Sequence, residues 1–369
     1  MAWWVVAGHA LDLAGGSKLY FDPGIARWVG RGALAVQVFM IVSGFVIAHL
    51  LISRKEAFGP YILRRWFRLV PLFVVTAGLA VITRDLYTVT FIDNPWARGA
   101  AMRTERLALE QEFWLPHLLA HATLLHGLIP QGVLKYSSST FLAPAWSLSL
   151  EWQFYLLAPL LLWSLTKPKA AWFAVLVVAL SILALNGFLG HWQYQSFLLI
   201  ALPFFFGGIT SRLMLEGKIP WLAAGLTVLA TAVYVQGLGI KEVKPLLVVA
   251  CIWSVFFFIT ARESGLFIAK SALLDKLSWL IALNPVSVAL GRISYSTYLA
   301  HIPIFSIVIG LGLSFAGGTD RETVIAFTLA AVVLTVPASF ALYRFVEQPG
   351  IRLGSHWVRR RPVDELASA

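Results

Sequence analysis

The sequence has one cysteine and few charged residues. Cys251 is the only cysteine among 369 residues, which excludes an intrachain disulfide framework and a cysteine-cluster metal site. Charged residues make up 13% of the chain and hydrophobic residues 59%, with a mean hydropathy of +0.78. This balance excludes a soluble globular protein. Because long apolar runs recur from end to end, we expect an all-α, polytopic integral membrane protein.

The sequence also lacks a glycine-rich nucleotide loop and a fixed-period repeat. Its net charge of +11 could suggest a nucleic-acid partner. The basic residues, however, stand in short clusters between apolar runs, which is the topology signal of membrane proteins. We therefore expect the lipid bilayer, and no nucleic acid, as the surroundings of this chain.

Ten apolar runs have the character of transmembrane helices. A span needs about 20 residues, and the first run, Ala2–Leu13, is shorter, so we expect a span that lacks its beginning. The other nine are Gly32–Ile52, Tyr61–Thr83, Trp146–Leu165, Ala171–Leu189, Ser196–Leu215, Ile219–Leu238, Pro245–Ala261, Gly291–Leu313 and Thr323–Phe345. They predict one transmembrane domain over residues 1–350 and a short basic cytoplasmic tail over 351–369. The amphipathic piece Lys270–Leu283 is expected to lie at the membrane interface.

The distribution of Lys and Arg predicts the orientation. The loop after the second span carries five of them through Arg68, and the loop before it carries three. Beyond residue 145, thirteen of sixteen fall on the same side as the five, provided that the run Phe113–Ile129 does not cross the membrane. The positive-inside rule then places both termini in the cytoplasm. It also makes Phe113–Ile129, which Pro116 breaks, a re-entrant or interfacial segment of the long loop 84–145.

The span Trp146–Leu165 contains a carboxylate, Glu151. An ionised acid at the centre of a span costs roughly 2.5–3.5 kcal/mol on insertion scales, so such residues face a protein interior or a cavity and have a partner. Tyr155 lies four residues on, on the same helical face. A structural hydrogen bond between helices is the alternative interpretation, but intramembrane acids are more often functional.

Two further candidates are a histidine and an arginine pair. His9 lies in the first run with Asp12 three residues on; it could be a general base or a helix-end histidine beside a solvated acid, and spacing does not decide. Arg65 and Arg68 share one face of a helix entering the membrane, where two guanidinium forks could hold a phosphorylated ligand. Spacing alone favours binding of lipid head groups instead.

The remaining ionisable residues are ambiguous. His301, near the middle of its span, indicates either a polar cavity or a satisfied core histidine. His117 and His121 have metal-ligand spacing, with His126 nearby, but no acid completes a zinc signature. Glu347 is expected to pair with Arg344 at the cytoplasmic surface. Ser43-Gly44 is typical of a small-residue packing site, although Ser43 could also be a nucleophile. These features fit a transporter as well as an enzyme.

Six stretches, in order along the chain, resemble one family. They are VVAGHA around His9, AVQVFMIVSGFVIAHLL at 35–51, ILRRWFRLVP at 62–71, WSLSLEWQFYLLAPLL at 146–161, LGRISYSTYLAHIPIF at 290–305 and YRFVEQP at 343–349. Together they are similar to the bacterial acyltransferase-3 family, membrane O-acyltransferases that modify cell-envelope and secreted glycans. By this resemblance, His9 matches the essential first-helix histidine, Arg65 and Arg68 the R-x-x-R pair, and Glu151 the acid of W-S-L-x-x-E. The basic residue that precedes the histidine in the family would fall before Met1.

The resemblance implies a reaction. An acyl group, acetyl in the first instance, would pass from acyl-CoA, a co-substrate and not a bound cofactor, to a hydroxyl of a glycan or glycolipid at the bacterial inner membrane. Arg65 and Arg68 would hold the CoA phosphates and His9 would take the hydroxyl proton. Glu151 with Tyr155 would orient the histidine or the acceptor, and His301 would line the substrate site. The alternatives are a transporter or flippase of a lipid-linked glycan or acyl group, and an inactive homologue with a scaffolding role.

Overall fold

The fold is a bundle of helices, seen in a computed structural model that describes residues 1–16, 24, 28–54, 56–217, 221–239, 243–264, 275–276 and 278–360. Over these residues all regular structure is helical, which confirms the predicted class. The helices are α1 Ala2–Leu13, α2 Gly32–Arg54, α3 Phe58–Ile82, α4 Arg84–Phe91, α5 Ala100–Glu112, α6 Trp114–Ala122, α7 Ala145–Thr166, α8 Ala171–Leu185, α9 Leu198–Leu215, α10 Trp221–Leu238, α11 Val243–Glu263, α12 Pro285–Arg292, α13 Ser294–Ala316, α14 Arg321–Leu342 and α15 Gln348–Arg360.

Eight helical segments of the described chain are long and apolar enough to cross a membrane. They are α2, α3, α7, α8 with its preceding turn, α9, α11, α13 and the continuous stretch Arg321–Val358. The segment Trp221–Gly237 of α10 is apolar but shorter, and α1 has 12 residues. All ten predicted runs are thus helical. In α9, 78% of the apolar window is buried, but in α11 only 11%, so α9 belongs to the interior and α11 has an apolar face suited to lipid.

The closest helix contact is between α2 and α9, and glycines make it possible. A Cβ on Gly44 would lie 2.5 Å from the carbonyl oxygen of Phe205, and one on Gly208 would lie 2.1 Å from that of Ile41. These distances leave room for hydrogen only. The packing site predicted at Ser43-Gly44 is confirmed, and its partner Gly208 was not recognised in the sequence.

The last span differs from the predicted Thr323–Phe345. After α14 the chain makes a π-helical turn, Tyr343–Glu347, and continues into α15. This helix packs on α3, where Gly350 and Gly354 approach Phe67. The predicted tail therefore begins within a helix, and residues 361–369 lie outside the described residues. Of the predicted interfacial piece Lys270–Leu283, residues 270–274 and 277 also lie outside the described residues, and the described part includes a π-helical turn at Trp279–Leu283.

The long loop carries α4, α5 and α6, which have 8, 13 and 9 residues and are shorter than a membrane span needs. At about 1.5 Å per residue, the nine residues of α6 reach about 14 Å, half of a ~30 Å hydrocarbon core. The segment nevertheless dips inward, because His121 and His126 stack on Phe73 in the middle of α3. This contact is compatible with the re-entrant or interfacial segment that the charge distribution predicts, and its position in the membrane stays a prediction.

Residues 84–144 and 186–197 pack together, and we call them the cap. The indole of Trp192 donates to the carbonyl of Leu128 at 2.9 Å, and the Ser139 hydroxyl donates to Gln193 at 2.7 Å. The cap follows the ends of α3 and α8. The opposite face of the bundle, where α2 ends and α3 and α13 begin, is called the basic side after Arg54, Arg64 and Arg292.

Candidate active site

A cavity of about 340 Å³ lies between α1, α2, α3, α7 and α13. Its walls are largely apolar, with Val36, Phe39 and Leu148 among them, and Arg68 and Glu151 supply charged groups. It reaches the basic side at the start of α13, where Ser294 and Tyr295 line it. Arg68 lines the cavity and keeps accessible surface there, so a charged ligand that enters the cavity could contact its guanidinium.

Of the residues predicted on α3 and α7, Arg68 and Glu151 line this cavity, and Tyr155 and Arg65 lie behind Glu151. The Tyr155 hydroxyl donates to the Glu151 carboxylate, and both side chains are buried. The Arg65 guanidinium lies 5.8 Å from the centroid of the Tyr155 ring, a cation–π distance. Arg68 interacts electrostatically with Glu151 and Tyr155. Glu151 therefore has the partners that an acid within a span needs.

Glu347 corrects the sequence analysis. It was expected to pair with Arg344 at the surface, but within the described part of the chain no ion pair joins them. Glu347 is only 5% exposed, and one of its oxygens accepts a hydrogen bond of 2.7 Å from the Ser296 hydroxyl on α13. It also interacts electrostatically with Arg68. Glu347 is the last residue of the π-helical turn Tyr343–Glu347. Arg68 therefore has two acids in its surroundings, Glu151 and Glu347.

His9 and His301 form a separate pair deeper in the bundle. Their ring centroids are 5.2 Å apart with an interplanar angle of 34°. Nδ1 of His301 lies 2.7 Å from the carbonyl oxygen of Tyr298, so this nitrogen carries the hydrogen. Nε2 of the same ring is buried and has no hydrogen-bond partner among the described residues. It is therefore available as an acceptor. Asp12, three residues from His9, pairs instead with Arg98 at 4.0 Å.

The imidazole pair does not line the cavity, and among the described side chains neither histidine hydrogen-bonds to Glu151. Tyr298 lies between the two groups. It lines the cavity, and its ring centroid is 6.2 Å from that of His301. Its hydroxyl accepts a 2.8 Å hydrogen bond from Ser147, which lies one helical turn from Glu151. The structure thus separates the predicted site into a charged cavity and an imidazole pair, joined by Tyr298.

Tyr295 and Tyr298 were not recognised in the sequence, although a signal was present. Tyr295, Tyr298 and His301 recur every three residues, which places them along one face of a helix. The Tyr295 hydroxyl donates to the carbonyl of Leu69 at 2.9 Å and so ties the start of α13 to α3.

The three cap histidines are buried but do not form a metal site. His121 and His126 stack with centroids 3.9 Å apart. Nδ1 of His121 lies 2.9 Å from the carbonyl of His117, and Nε2 of His126 lies 3.0 Å from that of Ala145. Throughout the described ranges, no group of three or more His, Cys, Asp or Glu could hold a metal ion.

Comparison with known proteins adds to this geometry. The family model of the acyltransferase domain matches residues 1–344. The chain belongs to the acyltransferase-3 family. The acyltransferase MdmB of Streptomyces mycarofaciens is 24% identical over 357 residues, which cover 90% of this chain and 83% of that protein. No solved structure matches the chain. The protein is therefore a multi-pass membrane acyltransferase, and the choice between enzyme and transporter that its residues left open is decided in favour of the enzyme.

Proposed function

We propose that the protein transfers an acyl group, acetyl in the first instance, from acyl-CoA to a hydroxyl of a cell-envelope or secreted glycan. The observation that carries this proposal is the placement of Arg68 and Glu151 at a cavity open to the basic side, with two imidazoles beyond it. The basic side would face the cytoplasm of a bacterial inner membrane, where acyl-CoA is made. Both termini would lie on that side.

Arg65 and Arg68 would bind the phosphates of the donor. Guanidinium forks match phosphate oxygens and gain strength where water is partly excluded. The cavity lies at the small end of the usual range for ligand pockets, about 300–1,000 Å³. It therefore suits the acyl-pantetheine arm, whose apolar part would contact Val36, Phe39 and Leu148, while the nucleotide stays outside near the arginines.

The imidazole pair would carry out the proton transfer. His9 would take the proton of the acceptor hydroxyl as its oxygen attacks the thioester carbon. The carbon–sulfur bond then breaks, and the proton passes to the leaving CoA thiolate, which leaves His9 as it began. The Nδ1–H of His301 is held by the Tyr298 carbonyl, so this ring presents the lone pair of Nε2 to the site and could orient His9. Glu151 and Tyr155 would position Arg65 and Arg68.

The test uses purified protein in liposomes with acetyl-CoA and glycan acceptors. We expect His9→Ala to lower ester formation and thiol release by at least about 10²-fold, the lower end of the contribution of a general base. His49→Ala, on the exposed face of α2, is the matched control and should keep full activity. Near-normal acylation by the folded His9→Ala protein would remove His9 from the reaction.

A second measurement addresses the substrate. Envelope and secreted glycans from deletion and wild-type strains are compared by mass spectrometry. We expect the deletion strain to lack an ester, acetyl by mass, that plasmid-borne protein restores. Identical ester content in all glycan fractions of the two strains would contradict a glycan acceptor.

A further inference from the structure

Beyond the imidazole pair, on the cap side, lies a group of arginine and aromatic side chains. It consists of Tyr87 on α4, Arg103 and Arg106 on α5, Trp146 at the start of α7, and Tyr194 in the loop before α9; we call it the cap cluster. Arg103 and Arg106 are three residues apart and share one face of α5. Arg106 is 5% exposed, and few arginines are buried to this extent.

The two arginines of the cap cluster form no ion pair among the described side chains, although two acids lie in their surroundings. Glu110 lines the same small cavity as Arg106, and Asp12 interacts electrostatically with Arg103, which also donates to the carbonyl of Phe91 at 3.1 Å. The other cations of the cap have acidic partners: Arg84 pairs with Glu110, Lys135 with Glu105 and Arg98 with Asp12. Among described side chains, no carboxylate lies within 4.0 Å of Arg103 or Arg106. Arg106 donates to the Tyr87 hydroxyl at 2.5 Å, but its Nε is buried without a partner. Since a buried charge is costly unless it is paired, this position is suited to an anion.

Aromatic rings stand beside these charges. Tyr194 stacks on Trp146 with centroids 5.4 Å apart, and its φ of +56° is uncommon for a residue with a bulky side chain. Tyr194 is 47% exposed, so part of its ring is accessible to a sugar. Partial burial raises the pKa of its hydroxyl, and the charges of Arg106 and Arg103 lower it. A cavity of about 20 Å³ beside Arg106 has room for one water-sized oxygen.

The cap cluster also adjoins the reacting groups. Arg103 interacts electrostatically with His9, and Tyr194 interacts with Tyr298. Ile302, which follows His301, lines the small cavity beside Arg106, and Trp146 precedes Ser147, which lines the cavity of Arg68 and Glu151. The cap cluster therefore adjoins both the imidazole pair and that cavity. A ligand bound at the cluster could present a hydroxyl to His9 without entering the donor cavity.

We infer that the cap cluster binds an acceptor carrying a carboxylate or phosphate close to the hydroxyl that is acylated, with the anion held by Arg106 and Arg103 and the sugar ring against Tyr194. This inference rests on the proposed function and adds the charge of the acceptor and the side of the membrane from which it enters. The anion could equally be a lipid head group, so the test includes lipids.

The test measures the thermal stability of detergent-solubilised protein with methyl glucoside, methyl glucuronide and glucose 6-phosphate. Ligands that bind the folded state raise the melting temperature in proportion to their affinity. We expect the two charged sugars to stabilise the wild type more than the neutral one does. Arg106→Gln should weaken this binding by about tenfold or more, as expected for loss of a charge-assisted hydrogen bond, and Arg103→Gln should act in the same direction. Lys135→Gln removes the same charge from an exposed cap residue that has an acidic partner. We expect this variant to bind the charged sugars as the wild type does.

Three outcomes would overturn the inference. They are equal stabilisation by neutral and charged sugars, an unchanged preference in both arginine variants, and stabilisation by short-chain phosphatidylglycerol but by neither charged sugar. Acetyl-CoA is tested in the same assay. Acetyl-CoA binding that survives in Arg106→Gln but falls in Arg68→Gln supports separate donor and acceptor sites. Failure of the wild type to bind acetyl-CoA would instead count against the proposed function.

Discussion

At the scale of single residues, the site depends on charges kept within the bundle by specific partners. The Glu151 carboxylate accepts a hydrogen bond from the Tyr155 hydroxyl, and the Glu347 carboxylate accepts one from the Ser296 hydroxyl. Arg68 interacts electrostatically with both acids. Each group offsets the desolvation of another, and removal of one leaves a buried charge without its partner. The group formed by Arg68, Glu151 and Glu347 therefore links the stability of α3, α7 and α13 to residues that are proposed to bind the donor.

Tyr155→Phe tests this coupling at one atom. The phenyl ring remains beside Arg65, but the Glu151 carboxylate loses a hydrogen-bond donor. We therefore expect the free energy of unfolding to fall by about 1.5–3 kcal/mol, as for hydrogen bonds to charged groups. Tyr343→Phe, which removes a neutral 3.0 Å hydrogen bond from Gln348, should cost about 0.5–1.5 kcal/mol. Reversible denaturant unfolding in mixed micelles provides the measurement. An equal loss in the two variants would show that the charge on Glu151 adds nothing.

At the scale of helices, the positions of the site walls depend on how closely α2 and α9 approach. Gly44 and Gly208 allow backbone to meet backbone, as small residues do in membrane helices. This contact fixes α2, whose Val36 and Phe39 line the cavity. Lipid provides no hydrophobic driving force between helices, so this close packing contributes strongly to their association.

Neighbouring glycines on α9 give a matched pair of variants. A Cβ at Gly208 would collide with the backbone of α2, but one at Gly207 meets no atom within 4 Å. We expect Gly208→Ala to lower the melting temperature, because overpacking costs about 1–3 kcal/mol. Gly207→Ala should leave it unchanged or raise it, since alanine has the higher helix propensity. Equal melting temperatures for the two variants would mean that α2 and α9 are not in close contact.

At the scale of the whole molecule, the proposed donor cavity reaches the basic side of the bundle, and the cap cluster belongs to the cap at the other end. α3 places Arg68 at the cavity and ends at Ile82, about 21 Å farther along its axis at 1.5 Å per residue. The imidazole pair lies between the two faces. Under the proposed function, the donor and the acceptor would reach the imidazole pair from opposite ends of the bundle.

Cysteine labelling tests the orientation. In a Cys251→Ser background, Gly132→Cys places a thiol on the exposed cap and Ala57→Cys places one on the basic side. We expect a membrane-impermeant maleimide to label position 132 in intact spheroplasts, and position 57 only after permeabilisation. The reverse pattern would invert the proposed topology and with it the assignment of donor and acceptor sides.

The sequence by itself determined the membrane class and the positions of most helices, and it singled out the Glu151–Tyr155 and Arg65–Arg68 pairs as candidates. Hydropathy and the spacing of Glu151 and Tyr155 or of Arg65 and Arg68 are properties of one helix, so periodicity reveals them. It could not place Glu347 against Ser296 or separate His9 from the cavity, because these relations join helices far apart in the chain. The apolar runs do not show which faces of the helices pack against one another. Only the packing of helices in three dimensions decided that Tyr298 stands between the cavity and the imidazole pair. It also decided that, among the described side chains, Arg103 and Arg106 form no ion pair while the neighbouring acids pair with other cations.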